Sequence, residues 1–347
     1  MSTTAETEAE TTDESAAVLS VRDLTVTYAS DAGPVTAVEG LCFDVAAGET
    51  LGIVGESGSG KSAASMAIMG LLPRSATVTG SIRFRGRELL SLSDQEMRPI
   101  RGRDIAVIFQ DALASLNPMA TVGAQIAEAL RVHESGHSHG RDRRELRERT
   151  IELLDLVGIA SPRTRAEQYP HELSGGMRQR VMIAMGIANE PAVLIADEPT
   201  TALDVTVQAQ VLDVIERVQN RTETSVLLIT HDLGVVAGLA DRVMVMYCGR
   251  KLEEGPVESL FYHPSHPYTS GLLAALPRID RRSARLAQIP GQPPPATERP
   301  AGCPFHPRCP HAVPTVCDVV STAPPLVLDA RHTTACVRFP EIESVTA

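Results

Sequence analysis

From Leu19 to Thr27 apolar and polar residues largely alternate, the two-residue period of a half-buried strand. The alternation runs on to about Ala47 and is broken by Gly33, Pro34 and Gly40, so this stretch predicts antiparallel strands joined by turns. At Thr50 the pattern changes. Thr50-Leu51-Gly52-Ile53-Val54 is a short apolar run that reads as a buried strand, and Ala63 to Leu72 is apolar and rich in Ala and Met, hence helical. Apolar strands recur near 193, 225 and 243 with helical stretches between them, the alternation of a parallel sheet covered by helices. Asp111 to about Ala184 is rich in Glu, Arg, Leu and Ala and predicts an inserted helical subdomain, about 111–185.

The links between these elements carry the chemistry. Gly55-Glu56-Ser57-Gly58-Ser59-Gly60-Lys61-Ser62 joins the buried strand to the helix and fits the phosphate-loop pattern in the strand–loop–helix context it requires. Gly55, Ser57, Gly58 and Gly60 let the backbone wrap phosphates, Lys61 supplies positive charge, and Ser62 offers a hydroxyl to Mg²⁺. Val193-Leu194-Ile195-Ala196 leads into Asp197-Glu198-Pro199. Asp197 would hold Mg²⁺ and Glu198 would polarise an attacking water. Neighbouring strand residues face opposite ways, so both carboxylates can serve one site only if the chain turns there, and Pro199 favours such a break. Leu173-Ser174-Gly175-Gly176 adds a further turn of free N–H groups and a hydroxyl at a helix start, a second anion cradle. One chain with two cradles suggests that each nucleotide is gripped by two chains.

With Ser174-Gly175-Gly176 after Leu173, the chain resembles the ATP-binding cassette (ABC) family, whose signature sequence is LSGG. The resemblance implies a P-loop α/β core with an antiparallel β subdomain and an inserted helical subdomain. It implies that Gln110, after Ala106-Val107-Ile108-Phe109, reaches Mg²⁺ and the water. It further implies that Asp204 lies in a loop crossing the dimer interface, although Thr201 stands where the family more often has Ser. His231, closing Ser225-Val226-Leu227-Leu228-Ile229-Thr230, would sense the γ-phosphate, and Tyr28 would stack on adenine. Two such subunits would close head to tail around two ATP molecules, Ser174, Gly175 and Gly176 acting in trans.

Beyond about Gly255 the composition shifts to Pro, His and Arg. Phe261 to Thr269, Leu272-Leu273-Ala274-Ala275-Leu276-Pro277 and Ile289-Pro290-Gly291-Gln292-Pro293-Pro294 resemble the C-terminal extension of oligopeptide and dipeptide ABC importers. That implies two membrane permease subunits, a second and different ATPase subunit, an extracytoplasmic substrate-binding protein, and a place on the cytoplasmic face of the membrane. The division expected is a disordered acidic tail (1–17), a nucleotide-binding domain (18–258) and an extension (259–347) standing apart from the ATP chemistry. Four of six cysteines, Cys303, Cys309, Cys317 and Cys336, crowd into that extension. Their C-x5-C-x7-C-x18-C spacing lacks the close pairs usual in zinc sites and favours a [4Fe-4S] cluster; zinc and four unligated thiols are the alternatives. Cys42 and Cys248 read as inert core residues.

At 347 residues, 43 % hydrophobic and 22 % charged, the composition is globular, with no apolar run of about 18 residues to cross a membrane. The formal net charge of −11 argues against general nucleic-acid binding. His133, His137 and His139 sit in a Gly/Ser-rich stretch without the rigid support that metal ligands need. Two rival readings remain at this level: an ABC ATPase working on DNA or ribosomes, and one serving iron–sulfur assembly.

Overall fold

The computed structural model describes residues 17–31, 33–109, 115–133, 142–201, 203–276, 288–319, 325–329, 331–339 and 341–342. Gln110, His137, His139 and nearly all of the acidic tail lie outside them; Ala17 begins the first strand.

In chain order the strands are β1 (Ala17–Tyr28), β2 (Val35–Ala46), β3 (Thr50–Val54), β4 (Ala76–Phe84), β5 (Arg87–Glu88), β6 (Ile105–Ile108) and β7 (Val193–Asp197). They continue with β8 (Ser225–Thr230), β9 (Arg242–Tyr247), β10 (Arg250–Pro256), β11 (Leu326–Asp329) and β12 (His332–Thr334). They form a four-stranded antiparallel sheet, β2-β1-β4-β5, and an eight-stranded sheet, β11-β12-β10-β9-β3-β8-β7-β6. The five strands from β9 to β6 are parallel.

Alternation along the parallel strands decides which core each side chain enters. Val193, Ile195, Leu227 and Ile229 join the core under the antiparallel sheet and the helix Lys61–Ile68. Leu194, Ala196, Val226 and Leu228 face the opposite way, into a core with the helices Val122–Arg131, Arg143–Leu156, Gly175–Gly186 and Val205–Thr222. Because both faces are covered, β3, β7 and β8 are buried throughout, which is why they read as unbroken apolar runs.

The C-terminal extension is continuous with this sheet. β12 pairs with β10 through Glu253↔Thr334 and Glu254↔Thr333. Phe305, Tyr268 and Leu260 share a core with Val243, Val245 and Tyr247 of β9. The extension therefore does not stand apart from the rest of the chain, contrary to the compositional break at Gly255, because its aromatic residues find their burial against β9. Among the described residues no helix is long and apolar enough to cross a membrane.

Glu253, 1 % exposed, ties the extension in place. It accepts from Ser265 N and Oγ (both 2.8 Å), His266 N (3.0 Å) and His332 Nε2 (2.8 Å). Burial alone would raise its pKa, but these bonds, led by His332, outweigh it and hold the carboxyl below its ordinary 4.5. A depressed carboxyl stabilises the fold fully above its unfolded pKa and loses that contribution as pH falls through the folded one. Glu253→Ala should cost about 3–5 kcal/mol at pH 7, since it strands buried donors, read as a lower urea midpoint. The gap between wild type and Glu253→Gln should narrow once pH drops below 4.5; a gap independent of pH would contradict the ionised assignment.

Candidate functional site

The end of β3 runs into a loop whose backbone is shaped by glycine. Gly55 has φ of 159°, and a Cβ there would meet Met246 O at 2.2 Å; Gly60 has φ of 98°, and a Cβ would meet Ala37 O at 2.5 Å. Any side chain at either place would push the loop out of contact with β9 or β2. The loop closes around Lys61, whose Nζ donates to Gly55 O (2.7 Å), Glu56 O (3.0 Å) and Ser59 Oγ (3.3 Å). Burial lowers the pKa of this ammonium, against the opposing pull of Glu198, Asp197 and Glu56. The charge is thus enclosed near carboxylates, with backbone carbonyls as its immediate partners.

The parallel register brings the rest. Ser62 Oγ donates to Asp197 Oδ1 at 3.2 Å, and Ser65 Oγ lies 3.5 Å from Oδ2. Burial lifts the Asp197 carboxyl above its ordinary pKa despite the Ser62 hydroxyl and Lys61, so the site favours an added positive charge there. Immediately after the strand, Glu198 adopts φ of +48°, and its N–H donates to Ile229 O of β8 at 2.8 Å. That left-handed residue is the turn which two adjacent carboxylates require. Glu198 accepts from Thr201 Oγ1 at 2.8 Å and lies 3.4 Å from His231 Nδ1. Lys61, Ser62, Glu198 and His231 line one open cleft of about 810 Å³ with the loop from Gly55 to Gly60, Thr201 and Leu272.

Residues 38–201 match the family "ABC transporter", and residues 252–317 match "Oligopeptide/dipeptide transporter, C-terminal region". The chain is 50 % identical to the oligopeptide transport ATP-binding protein OppD of Salmonella typhimurium over 309 residues, 89 % of this chain and 90 % of that one. It is 52 % identical to the dipeptide transport ATP-binding protein DppD of Bacillus subtilis over 321 residues, 92 % and 94 % of the two chains. The chain belongs to the ABC transporter ATP-binding proteins of the oligopeptide/dipeptide type. A Mycobacterium tuberculosis OppD is also 52 % identical, but the chain spans only about half of that protein's length, 52 %. Among solved structures, the ATP-binding cassette MJ0796, a dimer in a post-hydrolysis state bound to ADP and Pi, superposes with a TM-score of 0.62 at 27 % identity, covering 69 % of this chain and 98 % of that one.

The remaining motif residues of the chain lie elsewhere. Ser174 is exposed and caps the helix Gly175–Gly186, its Oγ accepting from Met177 N at 3.3 Å. Gly176 passes so close to the helix Val205–Thr222 that a Cβ would meet Val207 Cγ1 at 2.5 Å. None of Ser174, Gly175 and Gly176 lines the cleft of its own chain. Exposed Asp204 caps the helix Val205–Thr222 through Val207 N at 3.0 Å. Tyr28 is half-buried at the end of β1, packed against the core beneath the antiparallel sheet, and is not among the residues lining the cleft. His133 packs near Gly102. Cys248 is buried as expected, whereas Cys42 is only half-buried and bonds to Asp23 N at 3.1 Å.

The extension departs from expectation in two ways. Among the described residues no three Cys, His, Asp or Glu side chains are grouped so as to hold a metal ion. The ligand set expected from Cys303, Cys309, Cys317 and Cys336 is therefore not assembled; the Cys303 thiol instead lies 3.8 Å from His266 Nε2. Secondly, the extension reaches the phosphate loop. Tyr268 Oη accepts from Glu56 N at 3.1 Å, Arg308 pairs with Glu56 at 2.8 Å, and Leu272 lines the cleft. These residues escape sequence reasoning because Glu56 occupies an unspecified position of the loop motif and its partner lies 252 residues away. Ser65, 3.5 Å from Asp197, carries no sequence signal, and Thr201, noted only as a departure in the loop before Asp204, bonds to Glu198.

Proposed function

We propose that this chain hydrolyses ATP to power the import of peptides, or of related small solutes, through a membrane transporter. What carries the reading is the cleft itself: a glycine-shaped loop enclosing Lys61 faces Glu198 and His231 across a space open to solvent. Lys61 and the loop N–H groups would bind the β- and γ-phosphates. Ser62 and Asp197, with Gln110 as the family resemblance implies, would hold Mg²⁺, and the raised Asp197 carboxyl fits that role. Bound Mg²⁺ would neutralise charge developing on the phosphates. Glu198, fixed by Thr201 and close to His231, would orient the attacking water, and His231 would contact the γ-phosphate.

Exposed Ser174 and Gly175, outside their own chain's cleft, fit a role across a head-to-tail dimer beside Asp204. That the related cassette bound to ADP and Pi is dimeric supports pairing of two such chains. The names of the relatives, oligopeptide and dipeptide transport ATP-binding proteins, support a peptide cargo; two permease subunits, a substrate-binding protein and attachment to the cytoplasmic membrane face are what the family resemblance implies. The partner ATPase would be a second, different subunit. Transport would then be driven by closure and reopening of the dimer.

Glu198→Gln is expected to bind ATP while turnover falls by about 10²-fold; Lys61→Ala should lose nucleotide affinity instead. Wild-type turnover in Glu198→Gln would remove this residue from the chemistry. A mixture of Ser174→Arg and Lys61→Ala chains should recover activity above the sum of the two, with one intact composite site per dimer, if the chain pairs with itself. The same mixture completed with the cognate second subunit extends the test to a heterodimer.

We further propose that the four clustered thiols hold a [4Fe-4S] cluster. What supports this is the sequence alone: Cys303, Cys309, Cys317 and Cys336 fall within 34 residues of the extension at C-x5-C-x7-C-x18-C spacing. A cluster would have to draw the four thiols into one donor set and take them as thiolates, since among the described residues they are not grouped for a metal ion. Protein purified without oxygen should carry about four irons per chain, and Cys309→Ser should lose them. One zinc per chain, or no metal, would reject the assignment.

A further inference from the structure

A carboxylate inside a phosphate loop is at odds with the loop's task, because a fixed negative charge beside a polyanion cradle repels the ligand. Glu56 is such a residue, second in the loop, and its charge acts on Lys61 directly. The charge that meets it comes from the C-terminal extension. Arg308 Nη1 lies 2.8 Å from Glu56 Oε2.

Arg308 is held in place on several sides. Its residue is 8 % exposed, its Nε donates to Pro290 O at 2.9 Å, and Nη1 also donates to Tyr247 Oη at 3.1 Å. Its guanidinium lies 5.7 Å from the ring centre of Tyr247 and 6.0 Å from that of Phe305. Those rings pack with Tyr268, at 4.7 Å from Tyr247 and 5.2 Å from Phe305, and Tyr268 Oη takes the Glu56 N–H. Side chain and backbone of the same loop residue are thus both held by the extension.

We propose that Arg308 is a positioning residue for ATP binding, which neutralises Glu56 so that the phosphate loop accepts polyphosphate, and that the extension is thereby part of the nucleotide site. This rests on the ATP reading above. A competing role, a plain mechanical brace, makes a different prediction, because a brace is lost equally from either end. Neutralisation is asymmetric: removing Arg308 exposes the harmful charge, whereas removing Glu56 leaves only a cation.

The test is the dissociation constant of Mg-ATP for the full-length chain, with kcat and KM alongside, in four proteins. Arg308→Gln should weaken ATP binding by roughly 3- to 10-fold, with kcat within about twofold of wild type, and the loss should shrink as salt rises. Glu56→Gln should bind ATP at least as tightly as wild type. The double variant should return to within about twofold of wild type, a coupling that independent effects do not give. Equal weakening in both single variants, with no recovery in the double, would overturn neutralisation. So would an unchanged constant in Arg308→Gln. If Arg308→Gln does not fold, Glu56→Gln decides alone, since weaker binding there contradicts the proposal. Wild-type protein that binds no ATP would overturn the nucleotide reading and this inference together; ATP-binding wild type with insensitive variants overturns only the inference.

Discussion

The parallel register of β3, β8 and β7 governs where every charged group of the cleft lies. Val54 pairs with Thr230, and Asp197 with Ile229, so the three strands end at one level. Each then hands its next residues to the same space: the loop with Lys61, His231, and the turn at Glu198. Parallel strands end together only because connecting helices return each chain to the opposite edge. A one-residue slip of β7 would turn Asp197 away from Ser62 and exchange its two cores. The apolar residues that alternate between those cores, Val193 and Ile195 against Leu194 and Ala196, oppose such a slip, so hydrophobic burial far from the cleft sets its electrostatics.

The cleft that results is incomplete as a charged site. Lys61 is enclosed and its pKa lowered by burial, while Asp197 is raised. Both shifts reflect charges removed from water without full compensation. Such a site gains most from a ligand that brings the missing charges, a polyphosphate with its cation. The exposed Ser174 cap lies outside this cleft.

The extension adds a third layer to the same logic. It is attached through Glu253, through β12, and through the Tyr247, Tyr268 and Phe305 rings. With only 3 % aromatic residues in the whole chain, placing three of them together is a concentrated use of burial. The turn His306–Arg308 lies between Cys303 and Cys309, so the thiol-rich segment and the phosphate loop meet through one side chain.

The sequence by itself determined the local chemistry. Eight consecutive residues specify the phosphate loop because its work is done by backbone and one lysine, and the apolar runs specify buried strands because both sheet faces are covered. The break after Asp197 was legible in Pro199. Tertiary structure decided what meets across distance. No periodicity links Glu56 to Arg308, since an ion pair leaves no trace in a pattern of burial. The compositional break at Gly255 suggested separation, yet the extension packs onto β9 because Tyr268 and Phe305 bury their rings against Val243, Val245 and Tyr247. Spacing set the four thiols close along the chain, but the direction in which each points depends on the loops that carry them, and those loops follow the fold.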